Sequence, residues 1–495
     1  MAPGPHAGVT APAPSGRRTD RRHAHRRRAD LRRRVLALGL LSLGAGIVLG
    51  FGRVPAEPRP PAGRSAAPDV TPLLSVRRAP GAVVDEAGAL RLDAELATAA
   101  ARTGDASCWV VAAAAPRTRP IAARRGEVGL IPASTLKLAT AAATLAVIGP
   151  EARLTTRVVA AAAPDPSGTV DRLTLVGGGD PLLATPEGAA RREAAPWTRG
   201  QPTTPLAVLA DRVVAAGVRA VPGGIVADDS RHDTLRWLPT WPERYGPDVG
   251  PLGALTVDGG RPGGVGAPAA DPGLLAATAL GRLLAERGVT VGPPSRGTAP
   301  AGAVTVASVA SAPMAEVVGE MLAASDNLTA ETLIRELAVR RGRPGTTADG
   351  VRVARDALVG LGLPVGGTTM VDGSGLSRED RMTCSLLTGI LGLAGDERYR
   401  ALHDGLAVAA ETGTLAERFG GTPLAGRLRA KTGTLNGVSG LAGVVDGPRP
   451  LRFSVLLNGS FPDAQGLAGR EAMALAIGRW PDVPGGVAVV PPPGG

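Results

Sequence analysis

Ile131-Pro132-Ala133-Ser134-Thr135-Leu136-Lys137-Leu138 opens an apolar run that continues from Ala139 to Ile148. A run of that length, built from small and aliphatic residues, predicts a buried helix starting near Ser134. Helical spacing then puts Ser134 and Lys137 on one face, a turn apart. A serine at the head of a helix commonly serves as an N-cap, so Ser-x-x-Lys taken alone leaves capping and chemistry both open.

The lysine narrows the choice. The chain has 495 residues and 55 Lys plus Arg, of which only Lys137 and Lys431 are lysines. Arginine stays charged at any working pH, whereas lysine can lose its proton when buried or crowded by other cations. A site that needs a neutral amine therefore cannot use arginine. Lys431 lies in Gly426-Arg427-Leu428-Arg429-Ala430-Lys431-Thr432-Gly433-Thr434-Leu435, followed by Asn436-Gly437 and the apolar runs 439–445 and 451–457. These read as strands joined by turns, with Lys431 on a strand. Lysine also protects sheet edges. Chance pairing of the chain's two lysines with Ser at minus three and a following Thr-Gly falls below roughly one in a thousand, which disfavours that reading.

A third element lies between them, Ala324-Ser325-Asp326-Asn327-Leu328-Thr329-Ala330-Glu331, at the junction of helical patterns over 314–324 and 329–339. Asparagine occurs only as Asn327, Asn436 and Asn458. Ser-x-x-Lys, Ser-Asp-Asn and Lys-Thr-Gly in this order form the signature of penicillin-recognising active-site serine enzymes. Val176-Gly177-Gly178-Gly179-Asp180-Pro181, Asp372-Gly373-Ser374-Gly375-Leu376-Ser377-Arg378 and Gly421-Thr422-Pro423-Leu424-Ala425-Gly426 extend the likeness. Over about residues 80–485 the chain resembles the D-alanyl-D-alanine carboxypeptidase/endopeptidase family, peptidase family S13, the low-molecular-mass class C penicillin-binding proteins.

The resemblance implies an α/β fold: a serine β-lactamase/transpeptidase-like domain, an antiparallel sheet flanked by helices, with an inserted mixed or β-rich domain. It implies hydrolysis of the bond between the terminal D-alanines of a peptidoglycan stem peptide through an acyl-enzyme on Ser134, and covalent inhibition by β-lactam antibiotics. Serine needs a base to take its proton, and Lys137 is the candidate. Serving near neutral pH requires its pKa to fall by roughly three units, which burial and the neighbouring Lys431 could supply. Ser325 would pass a proton to the leaving amine, and Asn327 would orient Lys137 and hold a substrate amide. Lys431, Thr432, Gly433 and Thr434 would bind the terminal carboxylate. The backbone N–H groups of Ser134 and Thr434 would form the oxyanion hole. No metal or other cofactor is required. Glu411-Thr412-Gly413-Thr414-Leu415 mimics the third motif but offers a carboxylate, so it is read as structural.

Ser134 and Ser325 are 191 residues apart, too far for a compact β-lactamase arrangement. The peptidase domain is therefore expected as 81–150 and 305–485, with an inserted domain over 151–304 whose strands are sought at 173–176, 213–221 and 224–227. Asp228, Asp229 and Asp233 could face an amine on the stem peptide, but read first as solvated loop acids.

Composition bounds the rest. Apolar residues make up 44% and charged residues 20%, which describes a globular chain. Aromatics at 2% argue against stacking platforms for sugars or single-stranded nucleic acid. Ten arginines between Arg17 and Arg34, against Asp20 and Asp30, carry most of the net charge of +11. This 1–34 tail runs straight into the uncharged segment 35–52, about 27 Å long as a helix, which favours a cytoplasmic tail and membrane anchor over nucleic-acid binding. A signal peptide cleaved after Ala56 is the alternative, and either exports the body. A Pro-rich spacer follows over 53–80, and 486–495 reads as a tail that cannot pack. Cys108 and Cys384 lack CxxC spacing and read as buried free thiols, with one long-range disulfide left open. Two rivals to the peptidase are a β-lactamase on the same fold, whose class A deacylation pattern of Glu followed by Asn is missing because no Asn occurs between Asn327 and Asn436, and a noncatalytic wall-binding or penicillin-sensing module, which has no use for a base.

Overall fold

Every residue of the strand Val438–Val445 is buried, so this strand has protein on both faces. It lies inside a six-stranded sheet ordered Ala407–Val408, Leu428–Leu435, Val438–Val445, Leu451–Asn458, Ala106–Ala113, Ala122–Arg124, with every pair antiparallel. The computed structural model describes residues 79–103, 106–115 and 118–481.

Strand alternation sorts the two cores. Cys108 and Val110 join the helices Lys137–Val147, Met314–Ala324 and Cys384–Leu391 on one face. Trp109 and Val111 join Ala79–Ala100 and Asp463–Gly478 on the other. With so few aromatic residues, close packing is reached with alanine: Ala139, Ala141 and Ala142 of Lys137–Val147 are all fully buried. The two-residue Asn436-Gly437 turn, with Gly437 at φ 68°, joins the strands carrying the third motif in the hairpin that the dipeptide announces.

Between the first and second motifs the chain builds a separate five-stranded mixed sheet, ordered Ser295–Arg296, Ile225–Asp228, Leu173–Val176, Thr155–Ala160, Val304–Ala310. Its core packs against the helices Leu206–Ala215 and Pro272–Ala285. The sheet runs past the expected boundary at 304, because Val304–Ala310 pairs with Thr155–Ala160 and closes its edge. Residues 213–221 are not a long strand. Leu206, Leu209, Ala210 and Val213 recur at helical spacing and are all buried, so this stretch finishes a helix and then forms only the two-residue strand Ala220–Val221. The triple glycine at 177–179 admits close backbone approach: a Cβ on Gly178 would sit 2.2 Å from the Thr155 carbonyl oxygen.

Asp228, Asp229 and Asp233 are corrected. Asp228 ends a buried strand and accepts the Ser230 and Ala299 N–H groups. Asp229 is buried between Arg236 and Arg296, and Asp233 pairs with Arg335 at 3.1 Å. Asp228 and Asp229 are tied into the insert's own structure, and Asp233 ties the insert to the helix Asn327–Arg340.

The cysteines are corrected too: Cys108 and Cys384 form a disulfide across 276 residues, joining a sheet strand to the helix covering it. Only the packing of helix on sheet brings them together, so no local spacing could report it.

The Arg-rich tail, the 35–52 segment, nearly all of the 53–80 spacer and the 486–495 tail lie outside the described residues. Among the described residues no helix is long and apolar enough to cross a membrane.

Candidate active site

Ser134 lies in a 3-10 turn, Ala133–Leu136, that leads directly into the helix Lys137–Val147. It caps nothing. Its Oγ instead accepts a hydrogen bond from Lys137 Nζ at 2.9 Å. The preceding Ala133 has φ 47°, a left-handed conformation costly for a residue with a Cβ. Its surroundings hold it there. Asn458 accepts the Ile131 N–H at 2.8 Å and donates to the Ile131 carbonyl at 3.0 Å. Gly375 comes so close that a Cβ on it would lie 2.0 Å from the Ala133 oxygen.

Lys137 is fully buried and donates three hydrogen bonds: to Ser134 Oγ, to Asn327 Oδ1 at 2.6 Å and to the Ser374 carbonyl at 2.8 Å. Burial lowers its pKa from 10.5 to about 8, against the opposing pull of Asp372, Glu331, Asp326 and Glu320. The ammonium is thus held by exact geometry yet releases its proton near neutrality. Lys431 is also fully buried, and burial, then Lys137, then Arg470 push its pKa well below the ordinary lysine range. The repulsion between the two ammonium groups is mutual, and burial is the leading cause of the shift in both. Lys431 donates to the Thr432 carbonyl at 3.0 Å.

Asn327 is the first residue of the helix Asn327–Arg340, capped by the Asp326 carboxylate, which accepts the Thr329 N–H. Its amide is used at both ends: the oxygen takes Lys137, and Nδ2 donates to the Asp248 carbonyl of the insert at 2.8 Å. One of the two Nδ2 hydrogens is therefore engaged by the insert. Ser325 ends the helix Met314–Ala324 at φ 62°, and among the described residues its hydroxyl makes no hydrogen bond.

The strand Leu428–Leu435 runs beside the serine. A Cβ on Gly433 would lie 2.7 Å from the Pro132 oxygen and 3.2 Å from the Ser134 nitrogen, so only glycine permits this approach. The two-residue turn makes Leu435 and Val438 the hydrogen-bonded closing pair. Antiparallel alternation then turns the Thr434 N–H away from the neighbouring strand, free to donate outward. Thr432 Oγ1 meets Thr414 Oγ1 at 3.0 Å, which brings the mimic segment 411–415 against the third motif.

Besides Asn458, three contributors were not singled out as site residues in the sequence. Arg470, on the helix Asp463–Gly478, donates from one guanidinium nitrogen to the Gly433 carbonyl at 2.8 Å, Thr434 Oγ1 at 3.0 Å and the Gly440 carbonyl at 3.3 Å. Burial lowers its pKa to about 10, so it remains a cation. Asp372 accepts the Ser374, Gly375 and Ser377 N–H groups and the Trp241 indole N–H. Glu331 accepts the Gly373 and Ser374 N–H groups, and burial followed by repulsion from Asp372 raises its pKa to about 8. Together these acids shape the loop whose Ser374 carbonyl receives Lys137. The sequence signals pointing to them were the Asp-Gly-Ser-Gly text for Asp372 and the end of the Ser325–Glu331 segment for Glu331.

The insert also roofs the site. Leu238, Trp241, Tyr245, Val249 and Leu252 pack with Ala133, Leu328, Leu376 and Leu435. Among the described residues no cluster of His, Cys, Asp and Glu could hold a metal ion.

Residues 91–263 and 253–479 match the D-Ala-D-Ala carboxypeptidase 3 (S13) family. A carboxypeptidase of Mycobacterium tuberculosis is 34% identical over 457 residues, covering 86% of this chain and 90% of the relative. The D-alanyl-D-alanine carboxypeptidase of Actinomadura sp. strain R39 is 30% identical over 440 residues, covering 72% and 78%. Penicillin binding protein 4 of Haemophilus influenzae shares the fold, with a TM-score of 0.63 at 21% identity over 78% of this chain and 97% of that one. The motifs, their convergence on Ser134 and these matches agree, and the chain belongs to the D-Ala-D-Ala carboxypeptidase 3 (S13) family.

Proposed function

We propose that this enzyme is a penicillin-binding serine-type D-Ala-D-Ala carboxypeptidase that works through an acyl-enzyme on Ser134. The observation that carries the assignment is the 2.9 Å hydrogen bond between Lys137 and Ser134, with Lys137 buried and its pKa near 8. Neutral Lys137 takes the Ser134 proton as Oγ attacks the carbonyl between the terminal D-alanines of a stem peptide. The Ser134 and Thr434 N–H groups receive the negative oxygen, each donor contributing about 2.7 to 4 kcal/mol. Ser325 relays a proton to the departing amine, D-alanine leaves, and water hydrolyses the acyl-enzyme. Thr432 and Thr434, backed by the Arg470 cation and by the N–H donors of Lys431, bind the substrate's terminal carboxylate. A β-lactam acylates the same serine.

The test is D-alanine release from a pentapeptide ending in D-Ala-D-Ala, together with labelling by fluorescent penicillin. Both should be present in the wild type and absent in Ser134→Ala; labelling that persists in that variant would place the nucleophile elsewhere. Cross-linked muropeptides in the same assay measure the share of DD-endopeptidase activity.

The body acts outside the cytoplasm, held by the segment 35–52 as an uncleaved anchor with the arginine tail inside. The disulfide supports export, since such bonds persist in oxidising compartments. Fractionation and N-terminal sequencing decide the anchor: a mature chain starting after Ala56 would refute it.

A further inference from the structure

A cavity of about 950 Å³ opens between the insert's sheet and the C-terminal end of the helix Asn327–Arg340. Five arginines line it: Arg153 and Arg157 from one wall, Arg231, and Arg340 and Arg343 from the other. At 1.5 Å per residue, the length of that helix separates it from Asn327 by about 20 Å, so it is a second site and not part of the peptidase centre.

Acids answer only part of this charge. Glu336, beneath the cavity, is occupied by Arg231 and His232. Asp233, on the rim, pairs with Arg335. Arg153 donates only to the Ser311 carbonyl. Among the described residues Arg157 and Arg340 make no side-chain hydrogen bond or ion pair, and Arg343 has only the more distant Asp349 carboxylate for a partner. All three are exposed. Several unpaired guanidinium groups around one cavity repel one another, and a multidentate anion between them relieves that repulsion.

We propose that this arginine-lined cavity binds a linear polyanion that carries one phosphate per repeat and no bases. Phosphate suits it because each group presents several free oxygens that neighbouring guanidiniums can share. No Phe, Tyr or Trp lines the cavity and the His232 ring is engaged, so there is no platform on which nucleic-acid bases could stack. Bound there, the polymer holds the enzyme while leaving Ser134 open to its peptide.

Hydrogen–deuterium exchange on the full-length protein provides the test, because it separates this cavity from the arginines of residues 17–34. Long-chain inorganic polyphosphate should protect peptides covering 153–157 and 339–346. The Arg157→Ala/Arg340→Ala/Arg343→Ala variant should need about tenfold or more polyphosphate for the same protection, and protection should weaken steeply with salt. The control Arg119→Ala/Arg172→Ala/Arg355→Ala should behave as wild type. Pentapeptide hydrolysis should be unchanged in both, so failure of the peptidase assignment would show in that assay alone. Absence of protection at these peptides, or protection unaltered in the triple variant, overturns the proposal. Equal protection by poly-L-glutamate at matched charge overturns the choice of phosphate, and equal protection by single-stranded DNA overturns the restriction to a polymer without bases.

Discussion

Lys137 can accept the Ser134 proton only in molecules where it has already shed its own. With its pKa near 8, the neutral fraction falls about tenfold for each pH unit below that value. The kcat/KM for a pentapeptide should therefore rise with pH up to about 8 and then level, and a profile flat from pH 6 to 8 would remove Lys137 from the role of base. Lys137→Arg keeps a cation but no usable base, so acylation should slow by about 10²- to 10⁴-fold, read as the rate of penicillin labelling. Arg470→Ala withdraws a buried cation from Gly433 and Thr434. KM should rise about tenfold or more, with partial recovery in Arg470→Lys. Residues at this scale were unevenly legible. Ser134 and Lys137 could be read because helical spacing pairs them locally. Arg470 and Asn458 could not, since each reaches the site only through the packing of a distant helix or strand.

The strand Leu428–Leu435 contributes chiefly by where its backbone runs. Gly433→Ala would set a Cβ 2.7 Å from the Pro132 oxygen, well inside contact distance. The strand must draw back, and the Thr434 N–H withdraws with it. Acylation should fall about 100-fold or more, while stability drops by roughly 1–3 kcal/mol, as overpacking usually costs. Penicillin labelling kinetics and urea unfolding measure the two effects separately. Equal acylation rates would show that the strand's closeness is not required. Elements with one dominant signal were legible: the Asn-Gly hairpin and the apolar strands around it fall within a residue or two of their expected bounds. The misreading at 213–221 came from taking β-branched valines as strand, where the buried face repeats with the period of a helix.

Across the whole molecule, the disulfide spans the peptidase sheet and the helix on it, and encloses the entire insert in its loop. Replacing both cysteines with alanine should lower unfolding free energy by roughly 2–5 kcal/mol, seen as a lower urea midpoint. Pentapeptide turnover well below the midpoint should hardly change, because neither cysteine touches Ser134 or Lys137. The broad plan, a peptidase sheet interrupted by a long insert, was read from motif spacing together with the fold that the resemblance implies. The insert's roofing loop was not, because nothing in the spacing says onto which surface an insertion folds. That loop reaches Asn327 through the Asp248 carbonyl, and the contact obliges the two regions to answer each other. If displacing the loop frees the asparagine amide and alters how Lys137 is held, then whatever occupies Ser134 alters the loop by the same free energy. The insert is thus a reporter as well as a roof: acylation by penicillin should change amide exchange around residues 246–250.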